Sequence, residues 1–155
     1  MLFGCKWLHN KFPSIGGLYN PEICALNDFK GGLGNCETFW VYIILIGNNH
    51  WVCISNFDCS PGNMKLFDSY YKRVHKDIRE FGARLMEDIL DVIKADVQKQ
   101  ANTSDCSLFS LAFATSICYN IGPTNLFFNE KSLRLHFNKC IANRAVEQFP
   151  LHDDK

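Results

Sequence analysis

The sequence lacks an excess of charge of either sign: 16 Lys plus Arg balance 16 Asp plus Glu, for a formal net charge of zero. Binding nucleic acid or an anionic membrane through a general surface takes a basic excess, so neither is an expected partner. Nor is there a long apolar run. A membrane-spanning helix needs roughly 18 uncharged residues, and the strongest apolar stretch, Phe39 to Gly47, is strand-sized. The first residues have no basic start, apolar middle and small-residue cleavage site, so no secretion signal is expected. Eight cysteines are present, yet no C-x-x-C pair. The nearest approach to a zinc set, His50-x-x-Cys53 with Cys59, has poor spacing. No metal and no cofactor is called for. Several cysteines lie inside apolar runs, where free thiols pack as small hydrophobes. Reduced thiols in an intracellular compartment, cytoplasm or nucleus, are therefore expected in place of a disulfide framework.

The chain does have the means to build a core. It is 155 residues long, 47% hydrophobic and 14% aromatic, which suits one globular domain over 1–155 and not two. Leu2 to Phe12 reads as a short helix ended by Pro13, followed by a turn-rich connection through Gly16 and Gly17. This abrupt start leads us to expect that a first element of the domain is missing. Glu22 to Glu37 is ambiguous between loop and edge strand. From Phe39 to Ile46 every residue is β-branched, aromatic or otherwise apolar, which predicts a central strand buried on both faces. Gly47-Asn48-Asn49 then predicts a hairpin turn, His50 to Phe57 the return strand, Ser60 to Asn63 a second turn, and Met64 to Asp68 a third strand. Val74, Ile78, Phe81, Leu85, Ile89 and Val92 recur at helical spacing, predicting a helix over 73–95. Another follows over 131–146. The expected fold class is α+β, an antiparallel meander of three to five strands packed against helices.

One stretch stands apart. Gln98 to Asp105 is short and polar, and from Cys106 to Tyr119 nearly every residue is apolar or small until Asn120, Gly122 and Pro123 stop the run. Asn102, Thr103, Ser104 and Asp105 are all residues that cap helix starts, so Cys106 is expected in the first turn of a buried helix. There the unpaired N–H groups and the positive end of the dipole favour an anion, which lowers a cysteine pKa. A cysteine nucleophile also needs a base, a group to orient that base, and donors for the oxyanion. In a meander the start of the second strand lies beside the end of the third. His50 and Asp68 are thus expected at the same edge of the sheet, with the carboxylate holding one ring nitrogen and the other free to face a thiol.

Taken singly, each residue has an ordinary explanation: a hairpin histidine, a turn aspartate, an exposed glutamine before a helix. Taken together, His50-Trp51, Asp68-Ser69, Gln100 and Asp105-Cys106, with 18 residues from His50 to Asp68 and six from Gln100 to Cys106, resemble the ubiquitin-like-protein-specific (SUMO or sentrin type) cysteine proteases. That family belongs with the adenovirus-type proteases, and the texture here is similar to its divergent, transposon-associated members. The resemblance runs from Phe39 to Phe149. It implies a papain-like, adenain-like protease core in which Cys106 is the nucleophile, His50 the general base, Asp68 its orienting carboxylate and Gln100 an oxyanion donor beside the Cys106 N–H. It also implies that Trp51 lids a narrow groove for a Gly-Gly tail, the alternative being an ordinary core tryptophan. The implied partner is a ubiquitin-like protein or its conjugates. Ser107 departs from the family, which has Gly at this position. Gln98 offers a second amide, and Trp7-Leu8 only partly matches the family's upstream Trp-Leu segment. These departures leave open a second reading, a non-catalytic module that binds a ubiquitin-like protein on the same fold.

Overall fold

The computed structural model describes residues 1–18, 39–85 and 91–152. Four α-helices and four strands occupy them, in the order α1 (Leu2–Lys11), β1 (Val41–Ile46), β2 (His50–Ser55), β3 (Asn63–Phe67), α2 (Lys76–Leu85), β4 (Asp91–Lys94), α3 (Cys106–Cys118) and α4 (Glu130–Asn143), with a single 3-10 turn at Pro123–Asn125 between α3 and α4. The fold is α+β, with a sheet of order β1-β2-β3-β4. The Gly47–Asn49 turn allows β1 and β2 to pair antiparallel along their whole length, from Val41 opposite Ser55 to Ile46 opposite His50. Gly47 has φ +57, a left-handed value that glycine adopts without penalty.

Because side chains alternate along a strand, a sheet with apolar residues at every position must be covered twice. One face carries Val41, Ile43, Cys53 and Phe67 toward α1 and α3. The other carries Tyr42, Ile44, Val52, Ile54, Met64 and Leu66 toward Ile78 and Phe81 of α2. Phe67, Phe113, Phe109 and Phe128 meet in tilted and edge-on ring contacts that seat α3 on the sheet and tie both to the 128 region. Phe109 and Phe113 are fully buried, and truncating either to Ala costs about 3–5 kcal/mol. Gly4 lets α1 approach α3 closely, since a Cβ there would lie 2.8 Å from the Leu111 side chain.

α3 is apolar on nearly every side, and its buried hydroxyls are absorbed locally. Ser110, Thr115 and Ser116 each donate to the carbonyl four residues earlier, at 2.8, 2.7 and 2.9 Å. The helix stops where the sequence predicts. Asn120 takes φ +62, its N–H reaches the Ile117 carbonyl, and the Ile121 N–H reaches that of Ser116. Those two bonds make a Schellman end.

One expectation needs correction. The helix predicted over 73–95 does not extend that far: α2 is described to Leu85, and Asp91–Lys94 is a strand, with Met64 opposite Val92. Val92 points inward and Ile93 is 40% exposed, an alternation that coincides with the helical period only at Val92. The open edge of β3, with its row of unpaired backbone groups, decides in favour of the strand. This fourth strand runs parallel to β3, so it adds a parallel edge to the expected antiparallel meander of β1 to β3. A parallel pair needs a crossover, and α2 lies within it. Ile89 and the ambiguous stretch Glu22 to Glu37 lie outside the described residues.

Candidate active site

α3 begins at Cys106, with Asp105 as its N-cap residue. The capping itself differs from expectation. The Asp105 side chain makes no cap bond; its carboxylate instead accepts from Asn102 Nδ2 at 2.7 Å and from Arg134 of α4. Asn102 Oδ1 gathers the Ser104 and Asp105 N–H groups at 2.8 and 3.0 Å. The loop entering the helix is therefore held as one unit, and it delivers Cys106 to the end of the sheet where β2 starts.

His50 opens β2, and Asp68 directly follows β3. Both are buried, and His50 Nε2 lies 2.8 Å from Asp68 Oδ1. The same oxygen accepts the N–H groups of Tyr70 and Tyr71 at 2.8 and 3.1 Å. With Nε2 engaged by the carboxylate, the ring has Nδ1 left to face the Cys106 thiol, and each group shifts the other's pKa. The thiol also lies 3.9 Å from the Asn49 carbonyl in the hairpin turn. That turn is itself held to α2, because the Gly47 N–H donates to Asp77 at 2.9 Å.

The electrostatics follow from these contacts. Burial alone would raise the Cys106 pKa, but the hydrogen bond with His50, the Trp51 N–H, the His50 charge and the Ser107 N–H outweigh it and bring the pKa below the usual thiol value. Burial likewise pushes His50 down, yet its bonds to Asp68 and Cys106 prevail and raise it to about 9. Asp68 is lowered: the His50 bond and the two backbone N–H donors outweigh the cost of burial. Both the Cys106 and the His50 shift run in the direction that favours a thiolate beside an imidazolium.

Gln100 is 9% exposed. Its Nε2 donates to the Asn102 carbonyl at 2.6 Å, and its Oε1 accepts from Ser69 Oγ at 2.6 Å. Gln98 points elsewhere. Its amide bonds the Phe128 main chain both ways, at 3.1 and 2.6 Å, and reaches Glu130. Gln98 is thus committed to holding the chain near Phe128, while Gln100 lies against Ser69 in the turn after Asp68. Trp51 is half-buried against the α3-side core.

Several neighbours were not marked by the sequence. Tyr70 and Tyr71 are 46% and 41% exposed and flank the His50 ring, with centroids 5.8 and 4.8 Å away. Lys99 donates to the Asp68 and Tyr71 carbonyls at 2.7 and 3.3 Å. Arg134 lies 29 residues from the Asp105 it holds. Only adjacency to Asp68 could have flagged the tyrosines, and nothing local points to Lys99 or Arg134.

This arrangement belongs to a fold known from cysteine proteases. Among solved structures, the chain is similar to the C-terminal Ulp1 protease domain in complex with Smt3, the yeast ortholog of SUMO. The TM-score is 0.62 at 14% identity, over 85% of this chain and 68% of that one. It is also similar to SUMO protease Ulp1 with the catalytic cysteine oxidised to a sulfonic acid or a sulfenic acid. There the TM-scores are 0.61 and 0.60 at 14% identity, over 85% of this chain and 69% and 68% of those. At this identity the likeness establishes the fold. No family model and no curated protein sequence matches the chain.

Proposed function

We propose that this protein is a cysteine peptidase or isopeptidase that cleaves after the Gly-Gly-like tail of a ubiquitin-like protein. The observation that carries the reading is the buried His50 ring, held by Asp68 at 2.8 Å on Nε2 and near enough to the Cys106 thiol for each to shift the other's pKa. The substrate class draws support from the Ulp1 structure, which was solved with Smt3. In this mechanism the Cys106 thiolate attacks the carbonyl carbon of the last tail residue. The oxyanion that forms is met by an N–H of Gln100 and by the Cys106 N–H. His50, as imidazolium, gives its proton to the leaving amine, and the carbonyl re-forms as a thioester on Cys106. Neutral His50 then takes a proton from water, hydroxide equivalent adds to the thioester, and the acid departs as the thiolate is regenerated. Asp68 stays ionised throughout and keeps the ring oriented. In this reading Trp51, at the start of β2, covers the narrow tail.

The test is a panel of SUMO-like and ubiquitin-like proteins carrying a reactive vinyl sulfone at the tail. Wild type should be captured covalently by at least one member, and Cys106→Ala by none. Capture that persists in Cys106→Ala would refute the mechanism. Reversible binding without capture would instead mark a non-catalytic binding module.

A further inference from the structure

We infer that Ser69 is a positioning residue for Gln100: its hydroxyl, together with the Asn102 carbonyl, fixes the side-chain amide so that one N–H remains for the oxyanion. The inference rests on the peptidase reading above and adds a residue to it.

The amide orientation follows from the partners. A backbone carbonyl can only accept, so the Gln100 atom 2.6 Å from the Asn102 oxygen must be the nitrogen. That places Oε1 against Ser69 Oγ, also at 2.6 Å, and obliges the hydroxyl to donate. A flipped amide would set oxygen against oxygen at Asn102, so only one orientation satisfies the site. The nitrogen has two N–H groups, and Asn102 uses one. The second is claimed by neither partner.

A glutamine amide on its flexible side chain helps an oxyanion only if it is frozen before the charge develops. Ser69 is suited to freezing it, being 1% exposed and fixed through its main chain as well, because the Gln100 N–H donates to the Ser69 carbonyl at 2.9 Å. It also immediately follows Asp68. Lys99, the residue before Gln100, donates to the carbonyls of Asp68 and Tyr71. The turn 68–71 and the segment 99–100 therefore form one hydrogen-bonded unit, which positions the carboxylate of the base and the oxyanion donor together.

The experiment compares wild type, Ser69→Ala, Gln100→Ala and the double variant by three readouts. These are turnover of a Gly-Gly-tail fluorogenic substrate, alkylation of Cys106 by iodoacetamide, and NMR hydrogen exchange of the Gln100 side-chain amide, identified by its loss in Gln100→Ala. Ser69→Ala should lower kcat about tenfold, with KM and the alkylation rate within about twofold of wild type, because the thiolate and imidazolium are untouched. Its Gln100 amide should exchange at least about tenfold faster than in wild type. In the Gln100→Ala background, Ser69→Ala should cost nothing further, since coupled residues are not additive. Unchanged amide exchange, or losses that simply multiply in the double variant, would overturn the inference. An equal loss in the alkylation rate would also overturn it, by marking general damage to the site. If wild-type Cys106 reacts no faster than an ordinary thiol and no substrate turns over, the peptidase reading falls; the exchange measurement then decides the Ser69 clamp by itself.

Discussion

Cys106 and Cys118 sit at opposite ends of the same 13-residue helix. They are almost equally hidden, at 5% and 8% exposure, yet their thiols are driven in opposite directions. Burial pushes Cys118 up to about 12, aided only by the nearby Cys5 thiol. Cys106 bears the same kind of penalty and still ends below its usual value, because an imidazole and two backbone N–H groups meet the sulfur. The dipole of α3 adds to the contrast, favouring an anion at the first turn and opposing one at the last. The proton affinity of each thiol here is set by its surroundings, not by the residue type or by its depth.

The contrast should be plainest in thiol chemistry. At pH 7, iodoacetamide is expected to modify Cys106 at least about a hundredfold faster than Cys118, read by mass spectrometry of the labelled peptides. Equal rates would erase the distinction. Next in size is the carboxylate that holds the base. Asp68→Asn should reduce turnover by about a hundredfold or more while leaving a measurable residue, because the amide keeps the shape but misdirects the imidazole tautomer. Full activity in that variant would remove Asp68 from the site.

A third measurement follows the charge on His50. Its folded pKa, about 9, lies above the unfolded value of about 6.5, so its contribution to stability is complete below pH 6.5 and is lost as pH rises through about 9. Asp68 has the opposite sign: its pKa is lowered, so its contribution is present above the ordinary carboxylate range and lost as pH falls through its folded value. The melting-temperature gap between wild type and His50→Ala should therefore be widest at about pH 5–6.5 and shrink toward pH 9. A gap that widens with pH would contradict the assigned imidazolium. The smallest effect is expected at Ser107, whose N–H faces the sulfur. Ser107→Gly keeps that N–H, so turnover should stay unchanged or rise by no more than about threefold. A large loss would mean the hydroxymethyl group is itself part of the oxyanion geometry.

Strand and helix identity was largely legible in the chain, and the exceptions are instructive. The run Val41 to Ile46 could only be a doubly covered strand, and Gly47-Asn48-Asn49 could only turn it back, which places His50 at a sheet edge. Asp91–Lys94 could not be read the same way. Four residues carry too little periodicity, and the free edge of β3 that captures them is created by strands far back in the sequence. The two glutamines show the same limit. Spacing favoured Gln100, but only the position of Phe128, 30 residues beyond Gln98, reveals why Gln98 is occupied.

The sequence alone determined the elements: where the apolar alternation runs, where glycine, asparagine and proline interrupt it, and that a cysteine follows four capping residues at the head of a buried helix. Those signals are local, because backbone preferences and side-chain periods act over a few residues. The tertiary structure decided the distances and charges. It brought Asp68 to 2.8 Å from His50, set that ring against Cys106, clamped Gln100 between Ser69 and Asn102, and lowered one buried thiol while raising another. Proton affinities depend on which groups packing brings within a few ångströms and on how much water it removes, and neither is written in the order of residues.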